Sequence, residues 1–341
     1  MTAPPSSRQQ NAGVALMIVL LVVAMISLVA VQIGSLLQLG IRQAGNREQY
    51  QQAQWFALGG ERLARSLIES AFEHDKRIHP GQAWAMPGRR YPIDGGSIRL
   101  DIRDQGACFN LNALSALTTD QDGSKQKPPQ AVRQLASLIQ ALGGSEAETA
   151  QLLEPLRDWL DEDNLTTGLR GAEDLYYTAR QPPYLPANGP LASLSELGFI
   201  RGFRRDDDYV PLSEELRPWL CAPPDRDLLL NLNSLGANRL ALLSALFEGK
   251  VPTDRLTQAL NARPAGGFRS ADEFWQRLAG DESLAGRLDA QVRPQLRVTS
   301  DFFLARIEVN LHETNLVLYS RIQVRNDQTA VYQRHYGALN E

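Results

Sequence analysis

Residues 1–40 read MTAPPSSRQQNAGVALMIVLLVVAMISLVAVQIGSLLQLG, a short polar leader followed by an apolar run. No Asp, Glu, Lys or Arg occurs from Val14 to Ile41. A bilayer core takes about 20 apolar residues in helical form, so the run is long enough to span one. Arg8 is the one basic side chain ahead of it, and positive-inside bias would keep this leader cytoplasmic and send the rest across. A secretory signal has an apolar core of only about 7–15 residues and then a small-residue cleavage site. Here the run is longer and no Ala-x-Ala site closes it. Two arrangements remain: a permanent anchor, or cleavage before the run, between Gly13 and Val14.

Working outward, helical spacing continues beyond the apolar run. Phe56, Gly60, Leu63, Leu67 and Ala71 share one face, while Gln51, Gln52, Glu61, Arg62 and Arg65 occupy much of the remainder. The pattern predicts one N-terminal helix over 14–78, transmembrane over about 14–37, with its outer half packed on a sheet. His79, Pro80 and Gly81 break it. In RRYPIDGGSIRLDIRDQ (89–105) the period changes to two: Ile98, Leu100 and Ile102 alternate with polar residues, as in a half-buried strand. FFLARIEVNL (302–311), LVLYSRIQVRN (316–326) and TAVYQRHYG (329–337) repeat that pattern near the C terminus.

Between these strands lie candidate helices AVRQLASLIQAL, EAETAQLLEPLRDWLDED, RLALLSALF and ADEFWQRLAG, separated by Gly- and Pro-containing turns. A sheet interrupted in this way implies an inserted helical domain, placed at 109–294, with 79–108 and 295–341 forming the α/β layer. The 341 residues, 43% hydrophobic and 22% charged with a net charge of −4, are ordinary for a globular chain carrying one anchor. This balance offers no electrostatic footprint for nucleic acid.

In DWLDEDNLTTGLRGAEDLYY, Asp158, Asp161, Asp163, Glu173 and Asp174 flank a loop containing Gly168 and Gly171. If the helix continues through its start, Asp158 and Asp161 are neighbours on one face and repel. A hard cation with oxygen ligands, such as calcium, would relieve this, although the spacing is not that of an EF-hand. Asp161, Asp163 and Glu173 are the stronger candidate ligands; a solvated acidic loop is the alternative. TTDQDGSK, with Asp120 and Asp122, reads as an exposed loop. Cys108 and Cys221 are the two cysteines; beyond a membrane they permit a disulfide, with two buried thiols as the other reading.

CFNLNALSAL (108–117) and LLNLNSLGANRLALL (229–243) share an Asn-Leu-Asn core, which predicts two helical subdomains whose Asn side chains cap the following helix. The second copy is somewhat like a helix-hairpin-helix module, but FEGKVPTDR lacks the glycine-rich phosphate-binding turn, so a packing module without nucleic acid is expected. No GxSxG, HExxH or GxxxxGK[ST] motif occurs, and the four histidines show no ligand set beyond the isolated His74 and His79 pair. No enzyme is expected.

The junction QQNAG/VALMI resembles the class III leader of type IV pilins and type II secretion pseudopilins, cut after Gly13 by a prepilin peptidase. Most members carry Glu at the fifth residue after the cut; here it is Ile18. A carboxylate in a membrane helix costs roughly 2.5–3.5 kcal/mol at its centre and needs a partner. In the family that partner is the N-terminal amine of the subunit above, so Ile18 suits a subunit with nothing above it. Together with the insertion and GAEDLYYTARQPPYLPANGPLASLSELGFIRG (171–202), the chain resembles the K-type minor pseudopilins of bacterial type II secretion. The resemblance implies an α+β fold: a pilin-like long N-terminal helix on a small antiparallel sheet, with a large all-α domain inserted in the sheet.

It further implies inner-membrane insertion, a periplasmic C-terminal domain, prepilin peptidase cleavage and methylation, and calcium in the helical domain. The implied partners are the I- and J-type minor pseudopilins at a pseudopilus tip, the major G-type pseudopilin below, and secreted proteins as candidate contacts. The implied role is export of folded proteins through the outer membrane. The rival reading is an uncleaved, membrane-anchored periplasmic binding module; processing at Gly13 discriminates the two.

Overall fold

The computed structural model describes residues 10–115, 129–278 and 291–338. The apolar run and its continuation form one helix, α1 (Gln10–His74), of 65 residues. At 1.5 Å per residue it is ~100 Å long. Its side chains from Gly13 to Ala44 are exposed. This stretch is long and apolar enough to cross a membrane and fits a single-pass anchor. Most of the leader lies outside the described residues, while Gly13 falls within α1.

The outer half of α1 buries a different stripe from the one its large residues suggest. Ala53, Ala57, Gly60, Ala64, Ile68 and Ala71 face the sheet, whereas Phe56, Leu63 and Leu67 flank the contact, partly buried. Small residues let the helix axis approach the sheet closely. A Cβ on Gly60 would lie 2.6 Å from Ile307 Cγ2 and 3.2 Å from Ile98 Cγ2. Glu61, assigned to the polar side by composition, lies in this stripe at 3% exposure.

After α1 the chain makes a hairpin, β1 (Arg89–Ile93) and β2 (Gly96–Asp104), around Asp94 and Gly95. The alternation in 98–102 predicts only the second strand; β1 contains Pro92 and buries little, as an edge strand can. There follow β3 (Phe109–Asn110), α2 (Gln130–Ala141), α3 (Glu146–Leu160), α4 (Asp174–Thr178), α5 (Leu212–Leu216), β4 (Leu220–Cys221) and β5 (Leu230–Asn231). Then come α6 (Leu240–Leu246), α7 (Thr253–Asn261), α8 (Ala271–Leu278), β6 (Leu296–Arg297), β7 (Phe302–Leu311), β8 (Thr314–Arg325) and β9 (Gln328–Tyr336).

The main sheet is antiparallel in the order β1-β2-β7-β8-β9. Alternate residues of its central strands, including Ile98, Leu100, Phe303, Ile307, Leu318 and Ile322, form one core with α1. At the β8–β9 turn Asn326 and Asp327 both have positive φ (51° and 63°), a conformation these two side chains tolerate. In β9, Tyr332 is the extra residue of a bulge, since Arg321 pairs with Gln333 and Ile322 with Val331.

A second core holds the helices that separate β2 from β7. It is not helical throughout: β3 pairs in parallel with β4, and β5 with β6. Leu296 and Val298 pack into this second core, so by contact the chain returns to the main sheet at β7. Each short pair begins at an Asn-Leu-Asn motif and closes a unit, 109–221 and then 230–297. The Asn side chains do more than the capping their sequence predicts. Asn110 and Asn231 each accept from the backbone N–H two residues on. Asn112 accepts from Leu191 N–H and donates to the carbonyls of Leu191 and Pro223; Asn233 accepts from Phe268 N–H and donates to its carbonyl. The two units are therefore stapled by matching side chains.

Candidate functional site

The acidic loop is positioned by the end of α3. Ser145 and Glu148 form a capping box at the start of that helix, and Trp159 and Leu160 anchor its last turn in the core. The helix stops at Leu160 rather than running through Asp163, with Asp161 as its extended C-terminal neighbour. Asp158 consequently turns inward, fully buried, and accepts from Thr167 N–H at 2.8 Å and Ala172 N–H at 2.7 Å. Gly171 leaves room for that carboxylate: a Cβ there would lie 2.4 Å from Asp158 Oδ2.

With the loop held in this way, Asp161, Asp163 and Glu173 converge, each offering an oxygen within 4.8 Å of the others. Asp163 accepts from Leu165 N–H at 2.8 Å. Glu173 precedes α4 at 5% exposure, and both its carboxylate oxygens are buried without a hydrogen-bond donor, as is Asp161 Oδ1. Burial, and then the charges of Asp163 and Asp158, push the Asp161 carboxyl up to about 6. Burial and the surrounding acids, Asp158 first, push Glu173 up to about 7. Buried carboxylate oxygens without donors are costly unless a cation or proton compensates them. The donor set, all hard oxygen, fits calcium.

Asp158 and Asp174 stand apart from this cluster. Asp158 organises the loop, and Asp174 Oδ2 accepts from Asn164 Nδ2 at 3.2 Å. Sequence reading missed Asn188, whose Nδ2 donates to Asn164 Oδ1 at 2.9 Å and whose own Oδ1 is buried without a donor. No local acidic pattern marks it, because it joins the loop through the fold.

The other candidate residues fall elsewhere. Cys108 and Cys221 are joined in a disulfide, brought together by the parallel β3–β4 pairing and separated by 113 residues in sequence. A Cβ on Gly13 would meet nothing within 4 Å, so packing gives no reason for glycine there. Ile18 is exposed on the apolar part of α1. Asp120 and Asp122 lie outside the described residues.

Two family descriptions, both type II secretion system (T2SS) protein K, match residues 107–225 and 230–298, close to the two stapled units. The chain is 34% identical to type II secretion system protein K of Aeromonas hydrophila over 319 residues, 93% of each chain. It is 34% identical to that of Klebsiella pneumoniae, over 95% of this chain and 96% of the other. Its fold matches a chain in the crystal structure of the GspK-GspI-GspJ complex from the enterotoxigenic Escherichia coli type 2 secretion system. The match has a TM-score of 0.74 and 32% identity, covering 87% of this chain and all of the other. The long anchor helix on its antiparallel sheet, the stapled helical insert and relatives spanning both layers establish that the chain belongs to the type II secretion system protein K family of minor pseudopilins.

Proposed function

We propose that the chain caps the type II secretion pseudopilus, in a complex with I- and J-type minor pseudopilins and above the major G-type subunit. Prepilin peptidase cuts after Gly13, α1 first holds the protein in the inner membrane, and the sheet and insert lie in the periplasm. The assembled filament then supports export of folded proteins through the outer membrane. The role is structural rather than catalytic.

The observation that carries this reading is the likeness, over 87% of this chain and the whole of the other, to a chain of the GspK-GspI-GspJ complex. Two features of this chain support it. Ile18 removes the carboxylate that would seek a partner above, and the insert adds bulk where a stacked subunit would collide. The test is light scattering after size exclusion of the full chain in detergent, alone and with the I- and J-type proteins. A one-to-one-to-one complex is expected; a persistent monomer beside two folded partners would sink the tip assignment. Mass spectrometry of the mature protein should find Val14 as its first residue.

Calcium belongs to the same reading, with Asp161, Asp163 and Glu173 as the residues that would hold it. A bound divalent ion would neutralise the clustered charge and fix the loop after α3. Calorimetric titration of the demetallated protein should show binding, and calcium at 100 times its Kd should stabilise the fold by about 2.7 kcal/mol. Asp161→Asn with Asp163→Asn should abolish most of the heat and of the rise in Tm. A folded, demetallated protein that gives no heat returns the loop to an ordinary acidic surface.

A further inference from the structure

Between the outer face of the sheet and the insert lies a cleft of about 540 Å³. The sheet contributes two cross-strand rows: Asp101, Arg306 and Tyr319, then Arg103, Leu304 and Arg321. The insert contributes Arg217 and Arg239. The basic side chains outnumber the carboxylates, which are those of Asp101 and Asp104.

Both carboxylates are already engaged. Asp101 accepts from Gly88 N–H and pairs with Arg99 at 3.2 Å and Arg306 at 3.9 Å. Asp104 accepts from Gly106 N–H, Asn231 Nδ2 and Ser234 Oγ. By contrast, among the described residues no ion pair joins Arg103, Arg217 or Arg239 to a carboxylate. Arg217 and Arg239 donate to the backbone carbonyls of Leu194 and Pro218, and Arg239 lies 5.0 Å from the Trp219 ring centroid. Burial and the neighbouring Arg103 charge together lower the Arg239 pKa from its usual value. The fold thus brings Arg103 near Arg239 and lines one cleft with three guanidinium groups that make no ion pair among the described residues.

Arginine forks in a partly desolvated cleft are suited to planar oxyanions. Pro218 and Leu304 offer apolar surface among them, with Leu194 and Leu220 buried behind the wall. The volume lies within the ~300–1,000 Å³ of ligand pockets and far exceeds the ~30 Å³ share of one water. We propose that this cleft binds an extended acidic peptide segment of a protein partner, two or more of its carboxylates meeting Arg103, Arg217 and Arg239 while its backbone and side-chain stems lie against Pro218 and Leu304.

The probe is fluorescein-labelled tetraglutamate, followed by anisotropy on the full chain in detergent. Binding should weaken as sodium chloride rises from about 50 to 500 mM, because screening shortens the reach of the charges. Arg103 is exposed on β2 and makes no ion pair, so substitutions there leave the fold intact, as an unchanged Tm would verify. Arg103→Lys should keep affinity within about threefold, Arg103→Gln should weaken it about fivefold or more, and Arg103→Glu should abolish it. Inorganic phosphate at equal concentration should leave the peptide bound. The proposal is overturned if the natively melting protein does not bind the peptide, if Arg103→Glu binds it as well, or if phosphate displaces it, which would make the cleft a small-anion site.

Discussion

Glu61 shows how much a single side chain depends on what the helix meets. Its carboxylate accepts from Arg334 Nε at 2.6 Å and Nη2 at 2.7 Å, and from Ser320 Oγ at 2.6 Å. Burial by itself would raise the pKa, but the hydrogen bonds from Arg334 and Ser320 and the Arg334 and Arg65 charges hold it below 4.5. A lowered folded-state pKa contributes stability above the unfolded value, and that contribution is lost as pH falls through the folded one. Glu61→Gln should therefore cost about 1–3 kcal/mol at pH 7 and flatten the acid limb of stability below about pH 4.5. Denaturant midpoints measured from pH 7 to pH 3 check this; parallel acid limbs would show that Glu61 is not the group responsible. In the acidic loop, the same carboxylate chemistry divides by position: Asp158 orders backbone, while Asp161, Asp163 and Glu173 face one another. The density of acids there is visible in sequence, whereas the division of roles follows from where α3 ends.

At the scale of elements, the contact between α1 and the sheet is set by small residues rather than by the largest apolar ones. Gly60→Leu would drive a side chain into Ile307 and Ile98 and lift the helix from β2 and β7. Overpacking of this kind costs about 1–3 kcal/mol. Thermal melting of Gly60→Leu should show the loss, while the neighbouring Gly59→Leu, where a Cβ meets nothing within 4 Å, should melt no lower than the parent, since leucine is the better helix former. Strand alternation made β2, β7, β8 and β9 legible, but β1 was hidden because Pro92 and a largely exposed face erase the pattern. The Asn-Leu-Asn repeat was legible as a repeat. Its stapling of Leu191 and Phe268 was not, since those partners lie 79 and 35 residues away.

Over the whole molecule, two cores meet where the chain leaves α1 and β2. Ile78 N–H donates to Val298 O at 2.8 Å, and Asn231 Nδ2 donates to Ile78 O at 3.0 Å and Asp104 Oδ2 at 2.8 Å. One Asn of the second unit thus ties the segment after α1, the end of β2 and the insert together. The Cys108–Cys221 disulfide closes the first unit beside this junction. A cross-link over 113 residues restricts the unfolded chain, so Cys221→Ser should lower stability by about 2–5 kcal/mol. Denaturation of the full chain in detergent, with and without reductant, checks this. Parent and variant should converge once the parent is reduced; a gap that persists would assign the loss to packing at position 221.

The sequence by itself determined an apolar helix long enough to cross a membrane, the period of the principal strands and helices, the interruption of the sheet by a helical block and the acidic loop. Each is a local pattern, written in neighbouring residues by the geometry of helix, strand or bilayer. Tertiary structure decided which stripe of α1 is inside, which carboxylates converge, what the paired asparagines hold, and that arginines from β2 and the insert line one cleft. Those outcomes depend on contacts between residues far apart in the chain, where the meeting of two faces, rather than the polarity of either residue, sets burial and charge.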